Sequence, residues 1–214
     1  MERNITLKQH FILILRTHKT LTFLLDYVKL ILLEVIKMKL MIASDIHGHG
    51  ECCAEMFARF KEENADKLLI LGDLLYHGPR NGVFDGYNPE KTINLLNDNS
   101  DCIMTVRGNC DCEVDQMVLN FPIMSEMLTV YADGLTMYAV HGHKDLPKAL
   151  AGNIILSGHT HIFKAEKTDG IIRLNPGSVS IPKNGNPRSY MVYSEKEFTL
   201  KELSGTVLWD FPAE

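Results

Sequence analysis

The sequence predicts an α/β sandwich: two facing β-sheets, each mixed parallel and antiparallel, flanked by helices. Three observations predict it. Short apolar, β-rich runs recur along the chain, and each stops at Asp, Asn or His beside Gly. Segments of helical period separate the first of these runs. Hairpin signals about Asp133-Gly134 and about Glu195 to Glu197 make the second half richer in strands.

The runs are "KLMIASDIH" (39–47), "KLLILGD" (67–73), "CIMTVRGN" (102–109), "LTMYAVHGH" (135–143) and "NIILSGHTH" (153–161). Apolar stretches of four to eight residues bounded by Gly read as strands buried on both faces. Between the first two, "ECCAEMFARFKEENAD" places Cys53, Met56, Phe57 and Phe60 on one helical face. "NPEKTINLLNDNS" has Pro89 near a helix start and Ile93, Leu95 and Leu96 as its apolar side. The first half therefore reads β-α-β-α-β. "MLTVYADGLTMYAV" and "YMVYSEKEFTLKEL" read as hairpins.

At 214 residues and 45% hydrophobic, the chain suits one large domain with a sizeable core. The net charge of -5 argues against extended nucleic-acid binding, although bound metal reverses charge locally. Five cysteines (52, 53, 102, 110, 112), odd in number and two of them adjacent, do not form the pattern of a disulfide-stapled secreted domain. Reduced thiols in a cytoplasm are expected. A Cys110–Cys112 chelate lacks a second ligand pair.

Residues 1–37 differ from the rest in containing no Gly, Ala or Pro. Their apolar clusters are interrupted by Arg16, Lys19, Asp26, Lys29 and Glu34, so no run approaches the ~18 apolar residues of a membrane span. The segment reads as an N-terminal extension, from a misassigned start or an appended piece, with an amphipathic docking helix as the alternative. The domain proper is 38–214. No membrane association is expected; an edge strand or the N-terminal helix offers a surface for a homo-oligomer.

In open α/β sheets, ligands bind beyond the carboxyl ends of strands. Asp45, His47, Asp73, Asn109, His141, His159 and His161 all fall at such ends. Taken singly, Asp45 or His47 is explained as a helix cap and Asp73 as a turn residue. Five separate strand ends carrying the same chemistry point to one shared site.

The motifs "DIH" (45–47), "GDLLYHG" (72–78), "GNCD" (108–111), "HGH" (141–143) and "GHTH" (158–161) resemble, in order, those of the calcineurin-like metallophosphoesterases. "GDLLYHGPRN" and "NPGSVSIPKNGNP" are similar in particular to the bacterial YfcE-type phosphodiesterases. The resemblance covers Met38 to about Leu203 and implies two metals. Asp45, His47 and His161 would hold one, and Asn109, His141 and His159 the other, with Asp73 bridging.

The chemistry of that set is coherent. A carboxylate has two anionic oxygens able to hold cations ~3.5–4 Å apart. Two Asp, one Asn and four imidazoles suit Mn²⁺, Fe²⁺, Co²⁺, Ni²⁺ or Zn²⁺ and disfavour Ca²⁺; the resemblance favours Mn²⁺. Water between the ions would ionise near pH ~7 and attack phosphorus in line, so no Ser or Cys nucleophile is needed.

Around this set, Asp111 and His143 are expected to orient ligands. His77, Arg80 and Arg107 are candidates to reach substrate phosphate. Asn175 to Ser178 would turn tightly beneath the site. Cys110 stands where many relatives carry a histidine near the leaving group, and it is expected to tune catalysis without binding metal. The predicted function is a cytoplasmic phosphodiesterase acting on a small-molecule phosphodiester. The alternatives are a phosphomonoesterase or dinucleoside-polyphosphate hydrolase on the same site, and a non-catalytic scaffold like the retromer subunit. A repair-type nuclease is less favoured because no basic groove is visible.

Overall fold

Leu40–Ala43 (β1) is buried at every position, and its side chains alternate between two cores. Leu40 and Ile42 face a second sheet, whereas Met41 and Ala43 face a helical layer. Lys67–Ile70 (β2) repeats the alternation, with Leu69 on the first side and Leu68 and Ile70 on the other. Burial on both faces is why these runs are continuously apolar. Each fully buried Leu or Ile contributes roughly 1.5–3 kcal/mol.

The computed structural model describes residues 38–145, 148 and 152–213. The reading of 1–37 as an extension lies outside the described residues. After β1 come α1 (Gly50–Glu62), β2, α2 (Pro89–Asp98), a 3-10 turn at Ser100–Cys102, β3 (Ile103–Thr105) and α3 (Glu113–Val118). Then follow β4 (Leu128–Ala132), β5 (Leu135–Ala139), β6 (Ile154–Leu156), β7 (Lys164–Thr168), β8 (Ile171–Asn175), β9 (Ser189–Ser194), β10 (Glu197–Glu202) and β11 (Val207–Pro212).

One sheet has six strands in the order β11-β10-β9-β1-β2-β3, and the other has five in the order β4-β5-β6-β8-β7. Both are mixed, as expected. β1 runs parallel to β2 and antiparallel to β9; β6 runs parallel to β5 and β8, while β7 and β4 are antiparallel edges. Between the sheets lies a core that includes Val106, Met137, Ile154, Leu174, Met191 and Phe198.

Helix α1 lays Cys52, Cys53, Met56 and Phe57 on the other face of the six-stranded sheet. Its N-cap is His49, whose side chain accepts the Cys52 N–H at 3.3 Å. Asp45 and His47 are therefore free of capping duty. Helix α2 starts at Pro89, and Asn88 caps it by accepting the Lys91 N–H at 3.0 Å. Both expected hairpins form, β4–β5 and β9–β10, with Asp133, Glu195 and Lys196 in the left-handed region at their turns. No helix among the described residues is long and apolar enough to cross a membrane.

Candidate metal centre

The carboxyl ends of β1, β2, β3, β5 and β6 converge, and they bring the seven candidate ligands with them. The loops after β1 and β2 are laced together by backbone bonds from Asp45 N–H to Gly72 O (3.1 Å) and from His47 N–H to Asp73 O (2.9 Å). Asp45, His47, Asp73, His159 and His161 all have φ between 50° and 66°. Non-glycine residues seldom adopt that conformation, and it concentrates at functional sites. Gly108 allows the close approach of the β2 and β3 loops, because a Cβ there would collide with Asp73.

The imidazoles are set for ligation. His47 Nδ1 faces Tyr76 O at 2.7 Å, His141 Nδ1 faces Leu71 O at 2.6 Å, and His161 Nδ1 faces Ile181 O at 2.7 Å. A carbonyl only accepts, so each Nδ1 carries a proton, and each Nε2 is the nitrogen left to offer a lone pair in the neutral imidazole. His47 Nε2 and His161 Nε2 lie 3.3 Å apart, face to face. Two lone pairs at that distance repel unless a cation lies between them.

Asp45 and Asp73 complete the cup. Asp45 Oδ2 accepts from Ser44 Oγ (2.7 Å) and from His159 N–H (3.0 Å). Its Oδ1 is buried without a hydrogen-bond partner, 3.3 Å from His161 Nε2 and 3.6 Å from His47 Nε2. Asp73 Oδ2 lies 3.4 Å from His141 Nε2 and 3.6 Å from His47 Nε2, while Oδ1 accepts the Cys110 N–H at 2.8 Å. Ligand atoms of Asp45, His47 and His161 fall within 4.8 Å of one another, as do those of Asp45, Asp73 and His141. An orphaned carboxylate oxygen, facing imidazole lone pairs and a mixed O/N donor set fit divalent transition-metal ions.

The electrostatics agree. Burial works to raise both aspartates, but the surrounding imidazoles outweigh it: Asp45 is lowered, and Asp73 is held at about 2. Burial works to lower His141, but the two carboxylates push it up to about 9. Burial pushes His159 and His161 down.

Asp111, expected to orient a ligand, acts through the backbone. Its carboxylate accepts N–H groups from Asp73 (2.9 Å), Leu74 (2.8 Å) and Gly108 (2.7 Å), fixing the two loops that carry Asp73 and Asn109. Burial outweighs these bonds and raises its carboxyl to about 6. His143 lies beside His141 and His159, with ring centroids 5.3 and 6.2 Å away, and its Nδ1 is buried without a partner. It lines a neighbouring cleft with Glu126 and Lys144, outside the cavity over the aspartates.

That cavity, about 120 Å³, is lined by His47, Asp73, Asn109, Cys110, His159 and His161 together with Gly78–Asn81 and Lys183, of which Arg80 and Lys183 are exposed. Arg80 is therefore present. His77 is not in the lining: its Nδ1 faces Gly78 O at 2.8 Å, and its ring packs on Tyr76 and Tyr87. Arg107 is absent too, its guanidinium reaching Asp111 O (3.2 Å) and Glu126 (3.8 Å). The Asp111 carbonyl and Glu126 thus hold the Arg107 guanidinium outside the cavity lining.

Cys110 is half-buried, and its Sγ groups with His47 and Asp73 as a further possible ligand atom. Burial, then the Asp73 charge, pushes its thiol up to about 12. Sequence reasoning missed Lys183 and Ser180, and it placed Ser178 only in the turn beneath the site; the hydroxyls of Ser178 and Ser180 both donate to Asp45 O at 2.8 Å. The expected turn at Asn175 does lie beneath the site, where Asn175 Nδ2 donates to Gly158 O at 2.7 Å. The i, i+2 spacing of "SVS" after a strand was the available signal for the serine pair.

The calcineurin-like phosphoesterase superfamily domain matches residues 38–197, a span holding every residue of this centre. The chain belongs to that superfamily. It is 45% identical over 157 residues to phosphodiesterase YfcE of Escherichia coli K12, covering 72% of this chain and 85% of that one. The solved structure of the E. coli YfcE phosphoesterase superposes with a TM-score of 0.79 at 40% identity, covering 83% of this chain and 100% of that chain. Phosphodiesterase MJ0936 of Methanocaldococcus jannaschii is 26% identical over 171 residues, covering 75% of this chain and 95% of that one. Vacuolar protein sorting 29 of Cryptosporidium parvum shares the phosphoesterase fold at a TM-score of 0.57 and 16% identity, covering 83% of this chain and 99% of that chain.

Proposed function

We propose that the chain is a two-metal phosphodiesterase hydrolysing a small phosphodiester. The observation that carries this reading is the facing pair His47 Nε2 and His161 Nε2, 3.3 Å apart with both Nδ1 protons engaged elsewhere. Asp45, His47 and His161 would hold one ion, Asn109, His141 and His159 the other, and Asp73 would bridge. When bound, the ions would supply Lewis acidity for water activation and charge neutralisation at the phosphoryl oxygens. Mn²⁺ is the proposed pair.

The protein's own residues do the rest. Backbone carbonyls of Tyr76, Leu71 and Ile181 hold three imidazole tautomers. Asp111 fixes the loops of Asp73 and Asn109, and Ser178 with Ser180 fixes Asp45. The cavity of about 120 Å³ suits a phosphoryl group, whose ester arms would then lie outside it. The phosphodiesterase name of the 45%-identical relative supports a diester over a monoester or dinucleoside polyphosphate. The intact donor set supports an enzyme over a scaffold. Five free thiols support a cytoplasmic location.

The test is metal content by mass spectrometry together with hydrolysis of bis(p-nitrophenyl) phosphate. Two ions per chain and diester turnover are expected; one ion, or turnover independent of added metal, overturns the two-metal reading.

A further inference from the structure

We propose that Arg80 and Lys183 form a second anion site at the cavity mouth, so that the substrate is a phosphodiester one of whose alcohol arms carries a further carboxylate or phosphate. The inference rests on the two-metal phosphodiesterase reading and deepens it to a substrate class.

The argument starts from charge. Two divalent ions held by Asp45 and Asp73 would leave only as much positive charge as the scissile phosphate and its water-derived nucleophile remove. Arg80 and Lys183 add two more positive charges to the same cavity, whose only lining carboxylate among the described residues is Asp73. Several cations elsewhere in this acidic protein find carboxylates: Lys91 pairs with Glu51, Lys201 with Glu63, and Arg107 with Glu126. Neither Arg80 nor Lys183 has an ion pair among the described residues. A pair of cations without a carboxylate partner, over a site whose ions already balance one phosphate, suits a substrate that brings a second negative group.

Position supports this. The Lys183 N–H donates to His161 O at 3.1 Å, which ties the lysine backbone to a ligand residue. Arg80 belongs to a tight loop in which Asn81 Nδ2 donates to His77 O at 2.7 Å and Asn81 N–H to Gly78 O at 3.4 Å. A cavity of about 120 Å³ is well below the size that encloses a whole ligand, so the ester arms lie at the mouth where these cations stand. Arginine offers a planar fork suited to carboxylate or phosphate, and lysine a point charge.

The test compares p-nitrophenyl propyl phosphate with its 2-carboxyethyl and 3-phosphopropyl counterparts, using Mn²⁺-loaded full-length protein. The wild type should prefer an anionic arm by ~10-fold in kcat/KM, mainly through KM, as expected for hydrogen bonds to charged groups. Arg80→Gln and Lys183→Gln should each reduce the preference, and the double variant should abolish it. The carboxylate and phosphate arms distinguish which anion is favoured. Binding gives a readout free of turnover: 3-phosphonopropionate should bind the wild type more tightly than propylphosphonate, and the double variant should lose that gain. No preference in the wild type, or the same preference in the double variant, overturns the second anion site. If no ester is hydrolysed while the phosphonate preference holds, the phosphodiesterase reading falls and the anion site stands.

Discussion

The Asn109 side-chain amide donates to Cys110 Sγ at 3.1 Å, while its oxygen lies 3.0 Å from His141 Nε2. The sulfur thus sets which way the amide points, and the oxygen is the end turned toward the imidazole. Gly78 closes the other side, where a Cβ would stand 3.4 Å from Sγ. A cysteine at this position accepts one hydrogen bond and fits under the Gly78–Asn81 loop.

Cys110→Ala should therefore keep two metals and much aryl-diester activity, with metal affinity ~10-fold weaker, the lower end of the effect of losing an outer-shell partner. Cys110→Ser should restore affinity by accepting the same amide proton. Cys110→His must displace the Gly78–Asn81 loop and should shift the balance of diester and monoester turnover by about 10²-fold. Metal titration and paired kcat/KM values check this; complete loss of a metal in Cys110→Ala would make the sulfur a ligand.

Asp73→Asn retains shape and removes one negative charge from the proposed bridge. Loss of at least one metal and of nearly all turnover is expected, with an unchanged circular dichroism spectrum. Full activity at unchanged metal stoichiometry would refute the bridging role.

Asp111→Asn replaces a carboxylate that accepts three backbone N–H groups by an amide with one oxygen. About 1–3 kcal/mol of stability should be lost, because a buried donor loses its acceptor. Denaturant unfolding measures the loss, and metal affinity should fall with it since the Asp73 and Asn109 loops separate.

Far from the centre, Glu63 accepts from Lys201 Nζ (2.7 Å), Tyr190 Oη (2.9 Å) and Lys39 Nζ (3.3 Å). Burial works to raise its carboxyl, but these donors outweigh it and hold it below the usual range. A depressed carboxyl contributes stability that is present above the unfolded value of about 4.3 and is lost as pH falls toward the folded one. Glu63→Gln should cost about 1 kcal/mol at neutral pH and make the decline in Tm between neutral and acid pH shallower. An identical pH slope in both proteins would show that the network contributes nothing.

The strand ends were legible because burial on both faces forces apolar runs, and a polar residue ending such a run beside glycine has to have somewhere to go. That logic located Asp45, Asp73, His141 and His159 without any view of the fold. It did not reach Lys183, which lies in a loop with no periodicity, nor the donation of Ser178 and Ser180 to Asp45 O, which joins residues 133 and 135 positions apart. Helix α3 was missed because its exposed Val114 and Met117 show no buried face to pattern. Arg107 and His77 carried the right chemistry, but Glu126 and the Gly78 carbonyl engage them, and pairings of that kind are invisible to spacing.

The division of the centre between two sheets has a consequence for how the protein is made. β1, β2 and β3 deliver Asp45, His47, Asp73 and Asn109, whereas β5 and β6 deliver His141, His159 and His161. Synthesis runs from the amino end, so the carboxylates emerge from the ribosome well before most of the imidazoles meant to surround them. A nascent chain halted before residue 161 owns both acids and cannot close the cup. On the proposed ligand set, metal would be taken up late, only by chains whose second sheet has been translated and docked, and a prematurely terminated product would lack the imidazoles that complete the cup.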